Sequence, residues 1–311
     1  MRKSVVVVVC ALLCALMPSV SHASVASCAG LTATIVGSPF SDTLQGTSED
    51  DVIVGLAGDD TISGGGGNDT ICGGQGSDFL TGDNGNDRVF GGDDQDTIDA
   101  FDSVLNQPGG LGNDALFGGD GADSLFGGSG DNLMSGGLSD DALVGNDVPG
   151  QNLLMGGEGT DEADYELAPG PVNVDLTTGD AGGGASDHLV DIENLRGSLF
   201  DDVLIGNDNA NVMFGITGND TINGLGGNDG IEGDDGDDVL QGNKGNDVLG
   251  MDNDNGNDIM MGGRGDDVLR GQEGDDQLFG GLGVNANDGG DGIDTCVDPD
   301  TTQGAINCEA P

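Results

Sequence analysis

The chain has 311 residues, of which 63 are glycine, and its 57 acidic residues stand against 7 basic ones, giving a formal net charge of −50. Apolar residues make up 35% of the chain and aromatic residues 3%, which argues against the thick hydrophobic core of an ordinary domain. The charge excludes nucleic-acid binding through phosphate contacts and adsorption to anionic lipid.

The N-terminal residues 1–23 have the layout of a secretory signal peptide. Arg2 and Lys3 precede an apolar run from Val5 to Met17, and small residues end at Ala23. The apolar run is too short to span a bilayer, so we expect no transmembrane segment in the mature chain and a secreted, extracellular or cell-surface product. A second interpretation stays open, since residues 25–28 resemble a lipoprotein box that would lipidate Cys28.

Four cysteines follow the signal: Cys28, Cys72, Cys296 and Cys308. An even number of cysteines in an exported chain indicates disulfides. Proximity in sequence favours the pairs Cys28–Cys72 and Cys296–Cys308, although four cysteines allow three connectivities. Disulfides at the two ends would stabilise a repeat array, because the ends of such arrays fray.

From about Gly37 onward the sequence repeats every nine residues. Three consecutive units are 55–63, 64–72 and 73–81, with Gly first, Gly usually fourth, Asp sixth and an apolar residue eighth. Two-residue insertions near Pro149 and within 252–256 shift the register. The sixth position holds aspartate at the following residues: Asp42, Asp51, Asp60, Asp69, Asp78, Asp87, Asp96, Asp114, Asp123, Asp141, Asp161, Asp202, Asp220, Asp229, Asp238, Asp247, Asp258, Asp267, Asp276 and Asp294.

The residue types in the unit follow from the backbone geometry that a turn and a short strand require. The glycines permit the positive φ and close backbone approach of a tight turn, and the last three residues predict a short strand with one inward side chain. Two units make one coil, so stacked coils give parallel strands. Stacking also places one Asp above another at about 4.8 Å, where like charges repel unless a cation lies between them.

The preference for aspartate over glutamate indicates which cation the turns would bind. Eight of the acids are Glu and the other 49 are Asp, a bias that a merely solubilising face would not need. Carboxylates mixed with turn carbonyls are hard oxygen ligands and select Ca²⁺ over softer metals. The sequence therefore predicts multiple calcium sites.

At these residues the chain resembles the RTX, or haemolysin-type, calcium-binding repeat, a Gly-Gly-x-Gly-x-Asp turn followed by a short strand with a central aliphatic residue. The resemblance implies an all-β fold, a right-handed parallel β-roll, with Ca²⁺ bound between neighbouring turns by the sixth-position Asp and main-chain carbonyls. Leu105 cannot serve in that role. Four further sixth positions hold asparagine, which puts their sites in doubt: Asn132, Asn152, Asn211 and Asn285.

The nine-residue period lapses between Tyr165 and Leu195. Val172, Val174 and Leu176 alternate with polar residues like a strand, residues 182–185 suggest a flexible loop, and 188–192 suggest another strand. We interpret this segment as a hairpin-like spacer between two blocks of roll. The predicted organisation is a signal peptide (1–23), a first block with a disulfide cap (24–164), the spacer (165–196), a second block (197–296) and a disulfide-closed tail (297–311).

No enzyme motif fits the sequence. A zinc peptidase needs a His-Glu-x-x-His pair, whereas His188 is the one histidine after the signal, and a Gly-x-Ser-x-Gly elbow does not occur. We therefore expect a non-enzymatic surface or matrix protein whose calcium-free chain is disordered. Two alternatives stay open. One is an adhesive or accessory module that binds a polysaccharide or protein partner, and the other is an unrecognised polysaccharide-acting enzyme.

Overall fold

The computed structural model describes residues 26–99, 112–145, 150–183, 186–250, 256–297 and 306–308. These residues form strands and turns, and none of them belongs to a helix that could cross a membrane. The predicted signal peptide and Leu105 lie outside the described residues. The first two strands, β1 (Ser27–Cys28) and β2 (Leu31–Thr32), form a small antiparallel pair ahead of the repeats.

Most of the described chain coils back and forth between two long sheets. One sheet has 13 described strands, most of them three residues long, in parallel: β4 (Thr43–Gln45), β6 (Thr61–Ser63), β8 (Phe79–Thr81), β10 (Thr97–Asp99), β12 (Ser124–Phe126), β14 (Ala142–Val144), β16 (Glu162–Asp164), β20 (Asn194–Arg196), β22 (Val212–Phe214), β24 (Gly230–Glu232), β26 (Val248–Leu249), β28 (Val268–Arg270) and β30 (Ala286–Asp288).

The facing sheet has 16 described strands. In spatial order they are β3 (Ile35–Val36), β5 (Val52–Ala57), β7 (Thr70–Gln75), β9 (Arg88–Asp93), β11 (Ala115–Asp120), β13 (Leu133–Leu138), β15 (Leu153–Glu158), β19 (His188–Val190), β18 (Asp180–Gly183), β17 (Val172–Asp175), β21 (Val203–Ile205), β23 (Thr221–Asn223), β25 (Val239–Lys244), β27 (Ile259–Arg264), β29 (Gln277–Leu282) and β31 (Thr295–Val297).

The predicted all-β parallel β-roll is confirmed. Strands pair with the strand one coil later, two units further along the chain, as in Ile53 with Ile71 and Ile62 with Leu80. Several strands of the second sheet are six residues long and not three, because their ladder continues through the first two glycines of the next unit, as in the pairing of Gly74 with Gly92.

The core is a thin double row of side chains between the sheets. The eighth position of most described units supplies it, and these residues are 0% exposed: Ile53, Ile62, Ile71, Leu80, Val89, Ile98, Leu116, Leu125, Met134, Leu143, Leu154, Ala163, Leu195, Leu204, Met213, Ile222, Ile231, Leu240, Leu249, Met260, Leu269 and Leu278. One inward side chain per unit is what the sequence period predicts.

The insertions show as changes of register. Leu133 pairs with Leu153 and Val239 with Ile259, and each pairing spans two whole units and the two inserted residues, which confirms both insertions. Ile98 pairs with Leu125, three units further along instead of two. The additional unit, whose sixth position is Leu105, lies outside the described residues.

The segment between 165 and 196 enters the stack as a hairpin. Strands β17 and β18 pair antiparallel, β18 pairs with β19, and β17 pairs in parallel with β21, so the second sheet continues through the segment. The strand predicted around Val174 is present. Gly182 and Gly183 were expected in a flexible loop but belong to β18, since they pair with Asn173 and Val172.

Two disulfides hold the ends of the described chain, and both join the pairs that proximity favoured. Cys28 is linked to Cys72, which attaches β1 to β7, and Cys296 is linked to Cys308. Cys28 is buried, so the N-terminal disulfide also covers the first coils. Both links lie where a stacked array has no further coil to pair with.

The glycines at 66 and 67 allow a matched test of the turn. Gly67 has φ of 113°, and a Cβ there would lie 2.6 Å from the carbonyl carbon of Glu49, whereas a Cβ at Gly66 would meet nothing closer than 3.8 Å. We expect Gly67→Ala to lower the free energy of unfolding by at least about 1 kcal/mol and Gly66→Ala to change it little. Denaturant unfolding in excess calcium measures both, and equal effects would contradict this turn geometry.

Candidate metal centre

The sixth-position aspartates lie in the turns, each directly before a strand. Asp51 precedes β5, for example, and Asp60 precedes β6. Stacking of the coils arranges them in two columns, one on each edge of the roll. Asp42, at the N-terminal end of its column, is half-buried, and the other predicted site aspartates are at most 8% exposed. Burial of so many carboxylates needs compensating partners.

One partner is the backbone of the preceding coil. Along both columns, the amide N–H of a sixth residue donates to the side-chain oxygen of the sixth residue one coil later, as in Asp60 N to Asp78 Oδ1 at 2.8 Å and Asp69 N to Asp87 Oδ1 at 2.7 Å. Asp87 N donates to Asp114 Oδ1 in the same way at 2.7 Å, three units further along the chain instead of two. We call this series of bonds the sixth-position ladder.

A second ladder runs beside it in the opposite direction. Where the fifth residue is Asp or Asn, its side chain accepts from the N–H of the fifth residue one coil later, as in Asn68 N to Asp50 Oδ1 at 2.9 Å and Ser77 N to Asp59 Oδ1 at 3.1 Å. Stacked turns are therefore joined by two kinds of hydrogen bond, one donated towards the later coil and one donated towards the earlier coil. This role was not predicted from the sequence, although the recurring Asp or Asn at the fifth position is its signal.

The ladder uses only one oxygen of each sixth-position carboxylate. Within the described residues, the other oxygen, Oδ2, is buried and has no hydrogen-bond partner at these positions: Asp60, Asp69, Asp78, Asp87, Asp96, Asp114, Asp123, Asp141, Asp161, Asp220, Asp229, Asp238, Asp247, Asp267 and Asp276. A buried carboxylate oxygen without a partner is costly. Its recurrence in turn after turn points to a ligand of positive charge.

Burial also changes the acidity of these groups. It raises the pKa of Asp220 to about 8 and the pKa of Asp87 and Asp96 to about 7, against a usual 3.8. The backbone hydrogen bond of the ladder opposes this rise, and neighbouring carboxylates one coil away add to it. The protein alone thus disfavours the charged form that the site chemistry requires.

The free oxygen lies against the first glycine of its own unit. A Cβ at Gly82 would lie 2.7 Å from Asp87 Oδ2, and one at Gly64 would lie 2.5 Å from Asp69 Oδ2. The described residues contain no group of three or more His, Cys, Asp or Glu side chains placed to hold a metal ion. A cation here would therefore take backbone carbonyls of the turns as well as carboxylates. That all-oxygen set fits Ca²⁺ and does not fit a thiolate- or imidazole-seeking metal.

Two further acids accept in the sixth-position ladder and were not predicted from the sequence. Asn152 N donates to Asp187 Oδ1 at 3.0 Å, and Asp161 N donates to Glu193 Oε2 at 2.9 Å. Asp187 is buried, and burial raises its pKa to about 6. The signal for Asp187 was present, because residues 182–190 read Gly-Gly-Gly-Ala-Ser-Asp-His-Leu-Val and fit the nine-residue unit inside the supposed spacer.

Comparison with known families agrees with this geometry. The model of the RTX calcium-binding nonapeptide repeat matches residues 36–71, 73–100, 108–143, 191–221, 214–249 and 252–285, which together cover more than half of the chain. A search of curated proteins finds no match to the chain.

Adjacent aspartates provide a matched test of the metal site. Asp60→Asn keeps the ladder acceptor but removes the negative charge at Oδ2, whereas Asp59→Asn alters an exposed fifth residue where asparagine is common. We expect Asp60→Asn to bind about one calcium ion fewer and to be less stable by about 1.4 kcal/mol, for a Kd of about 10⁻⁴ M at about 1 mM calcium. Titration calorimetry and thermal unfolding measure both quantities. Equal ion counts in the two variants would contradict the assignment.

The raised pKa values also predict how pH acts on the calcium-free chain. Since the folded-state pKa of Asp87 or Asp220 lies above the unfolded value, folding takes up protons, and this contribution is fully present below about pH 4 and is lost as pH rises through about 7 to 8. We expect more strand signal in chelator at pH 5 than at pH 8. Far-UV circular dichroism tests this, and a larger signal at pH 8 would refute it.

Proposed function

Because the chain belongs to the RTX calcium-binding nonapeptide repeat family, we propose that it is a secreted calcium-binding protein whose Asp-rich turns bind multiple Ca²⁺ ions that drive folding of the β-roll. The ligands would be the sixth-position aspartates predicted from the sequence, together with Asp187 and Glu193 and the carbonyls of the turns. Bound calcium would supply positive charge between stacked carboxylates.

The observation that carries this proposal is the recurrence of a buried Oδ2 without a hydrogen-bond partner along both described columns. Such oxygens lie against a glycine backbone that has no side chain to fill the space, as at Gly64 and Gly82. Hard oxygen sites of this kind recruit Ca²⁺ at the concentrations found outside cells.

The thin core explains why the ion would act as a folding partner. A typical coil contributes only two inward side chains, one from each of its units, whereas ordering its backbone costs about 1–2 kcal/mol for every residue. Repulsion among stacked carboxylates adds to the cost. Because the site would form only when the turns stack, the free energy of calcium binding would contribute to the free energy of folding.

Export and a non-enzymatic role are parts of the same proposal. The signal-like residues 1–23 and the disulfides Cys28–Cys72 and Cys296–Cys308 both suit an oxidising compartment, where calcium is also abundant. Stacked turns present a long, regular, acidic surface, which suits a surface or matrix component.

One feature favours a second candidate, a module that binds a partner. Lys244 and Arg264 lie side by side on adjacent coils and line an open groove of about 620 Å³ with Leu225 and Leu282. The one ion pair of Lys244 among the described residues is a solvent-exposed contact with Asp208 at 3.8 Å. A paired positive charge beside aliphatic side chains suits an acidic glycan or peptide, with calcium purely structural.

The leading proposal predicts that metal removal unfolds most of the roll. In chelator at pH 7.5 we expect the strand signal in far-UV circular dichroism to be largely lost, and we expect it to return cooperatively as calcium is added, but not with the same concentration of magnesium. A strand signal unchanged by the chelator would contradict the proposal.

A further inference from the structure

Asparagine replaces aspartate at sixth positions on two adjacent coils. Asn132 and Asn152 are each 3% exposed, and their side-chain oxygens keep their places in the sixth-position ladder. Asn132 Oδ1 accepts from Asp114 N at 2.9 Å, and Asn152 Oδ1 accepts from Asn132 N at 3.0 Å. The difference from an Asp turn is confined to the second side-chain atom, which is an amide donor and not a carboxylate oxygen.

At Asn152 this donor makes two contacts of the kind that a calcium ion makes. Its Nδ2 donates to the carbonyl of Gly145 at 2.9 Å and to Asp187 Oδ1 at 2.9 Å. The amide therefore joins a turn carbonyl to the carboxylate of the next coil. These are the two classes of oxygen that calcium would otherwise bridge.

At Asn132 the amide closes its own turn. Its Nδ2 donates to the carbonyls of Gly128 at 3.3 Å and Gly130 at 3.4 Å, the second and fourth residues of the unit. In the Asp turns of the neighbouring coils, such as Asp114, the corresponding Oδ2 has no partner among the described residues. An amide can satisfy turn carbonyls that a carboxylate oxygen would repel.

Additional apolar side chains are buried beside β15 and β19. Tyr165 is fully buried, and Val172, Val174 and Ile192 add buried side chains that have no counterpart in an ordinary coil. They come from the inserted hairpin and its flanks, next to β15 and β19. This part of the described roll therefore has additional apolar burial, the main metal-independent contribution to folding.

We propose that the turns at Asn132 and Asn152 bind no calcium and are closed by their side-chain amides, so that β13, β15 and β19 stay paired when calcium is removed. The roll would then keep a metal-independent centre from which calcium-driven folding spreads outward, coil by coil. This inference rests on the proposed function, because it assumes that Asp turns elsewhere are held by calcium.

Hydrogen exchange on the full chain tests this directly. In chelator we expect peptides covering β13, β15 and β19 to exchange at least tenfold more slowly than an unfolded chain, and peptides covering β5 to β9 to exchange at the unfolded rate. In calcium, we expect both regions to be protected. Fast exchange in β13, β15 and β19 in chelator would overturn the inference and leave the proposed function intact, whereas full protection of β5 to β9 in chelator would overturn the proposed function.

Two variants test the role of the amides. Asn132→Asp should bind one more calcium ion than the wild type in titration calorimetry, and Asn152→Asp, which sets a carboxylate against Asp187, should lose the protection of β15 in chelator. The control is Asn113→Asp, the same change at an exposed fifth position one coil away, where Oδ1 accepts from Asp131 N. The control should alter neither quantity. Variants that match this control in both ion count and exchange would overturn the inference.

Discussion

The structure depends on how buried carboxylates are held when they are stacked one above another. From Asp60 onward, one oxygen of each sixth-position aspartate accepts from a backbone N–H of the preceding coil, and at most of these positions the other oxygen is buried without a partner among the described residues. Coils cannot stack unless this second oxygen is neutralised. Stacking of the Asp turns is therefore favoured by whatever neutralises this oxygen, a role that the proposed function assigns to bound calcium.

The glycines of the turn make room for this second oxygen, and the fifth residues hold neighbouring turns in register. Glycine at the first position leaves room for Oδ2, and glycine at the fourth lets the backbone turn with positive φ against the coil below, as at Gly64 and Gly67. The fifth-position ladder runs opposite to the sixth and fixes the register of the turns without extra charge where its members are asparagine. At Asn132 and Asn152 a neutral amide takes the place of the second carboxylate oxygen, and this amide donates hydrogen bonds to the turn carbonyls.

Much of this architecture could be predicted from the sequence, because a nine-residue period fixes the stacking, the inward row and the place of each aspartate. The disulfide pairs and the two-residue insertions were also predictable. The exceptions have physical causes. Asp187 was missed because its unit has Ala in place of the fourth Gly and lies within a segment whose other residues break the period. The extension of strands such as β7 into the glycines depends on backbone pairing, which a side-chain pattern does not record.

The most direct test of the central claim is anomalous scattering from crystals grown in calcium. The account predicts calcium peaks between stacked turns, beside the Oδ2 atoms of residues such as Asp60, Asp78 and Asp96. It would be contradicted by ordered turns at these residues that hold no ion, or by carboxylates that point into solvent.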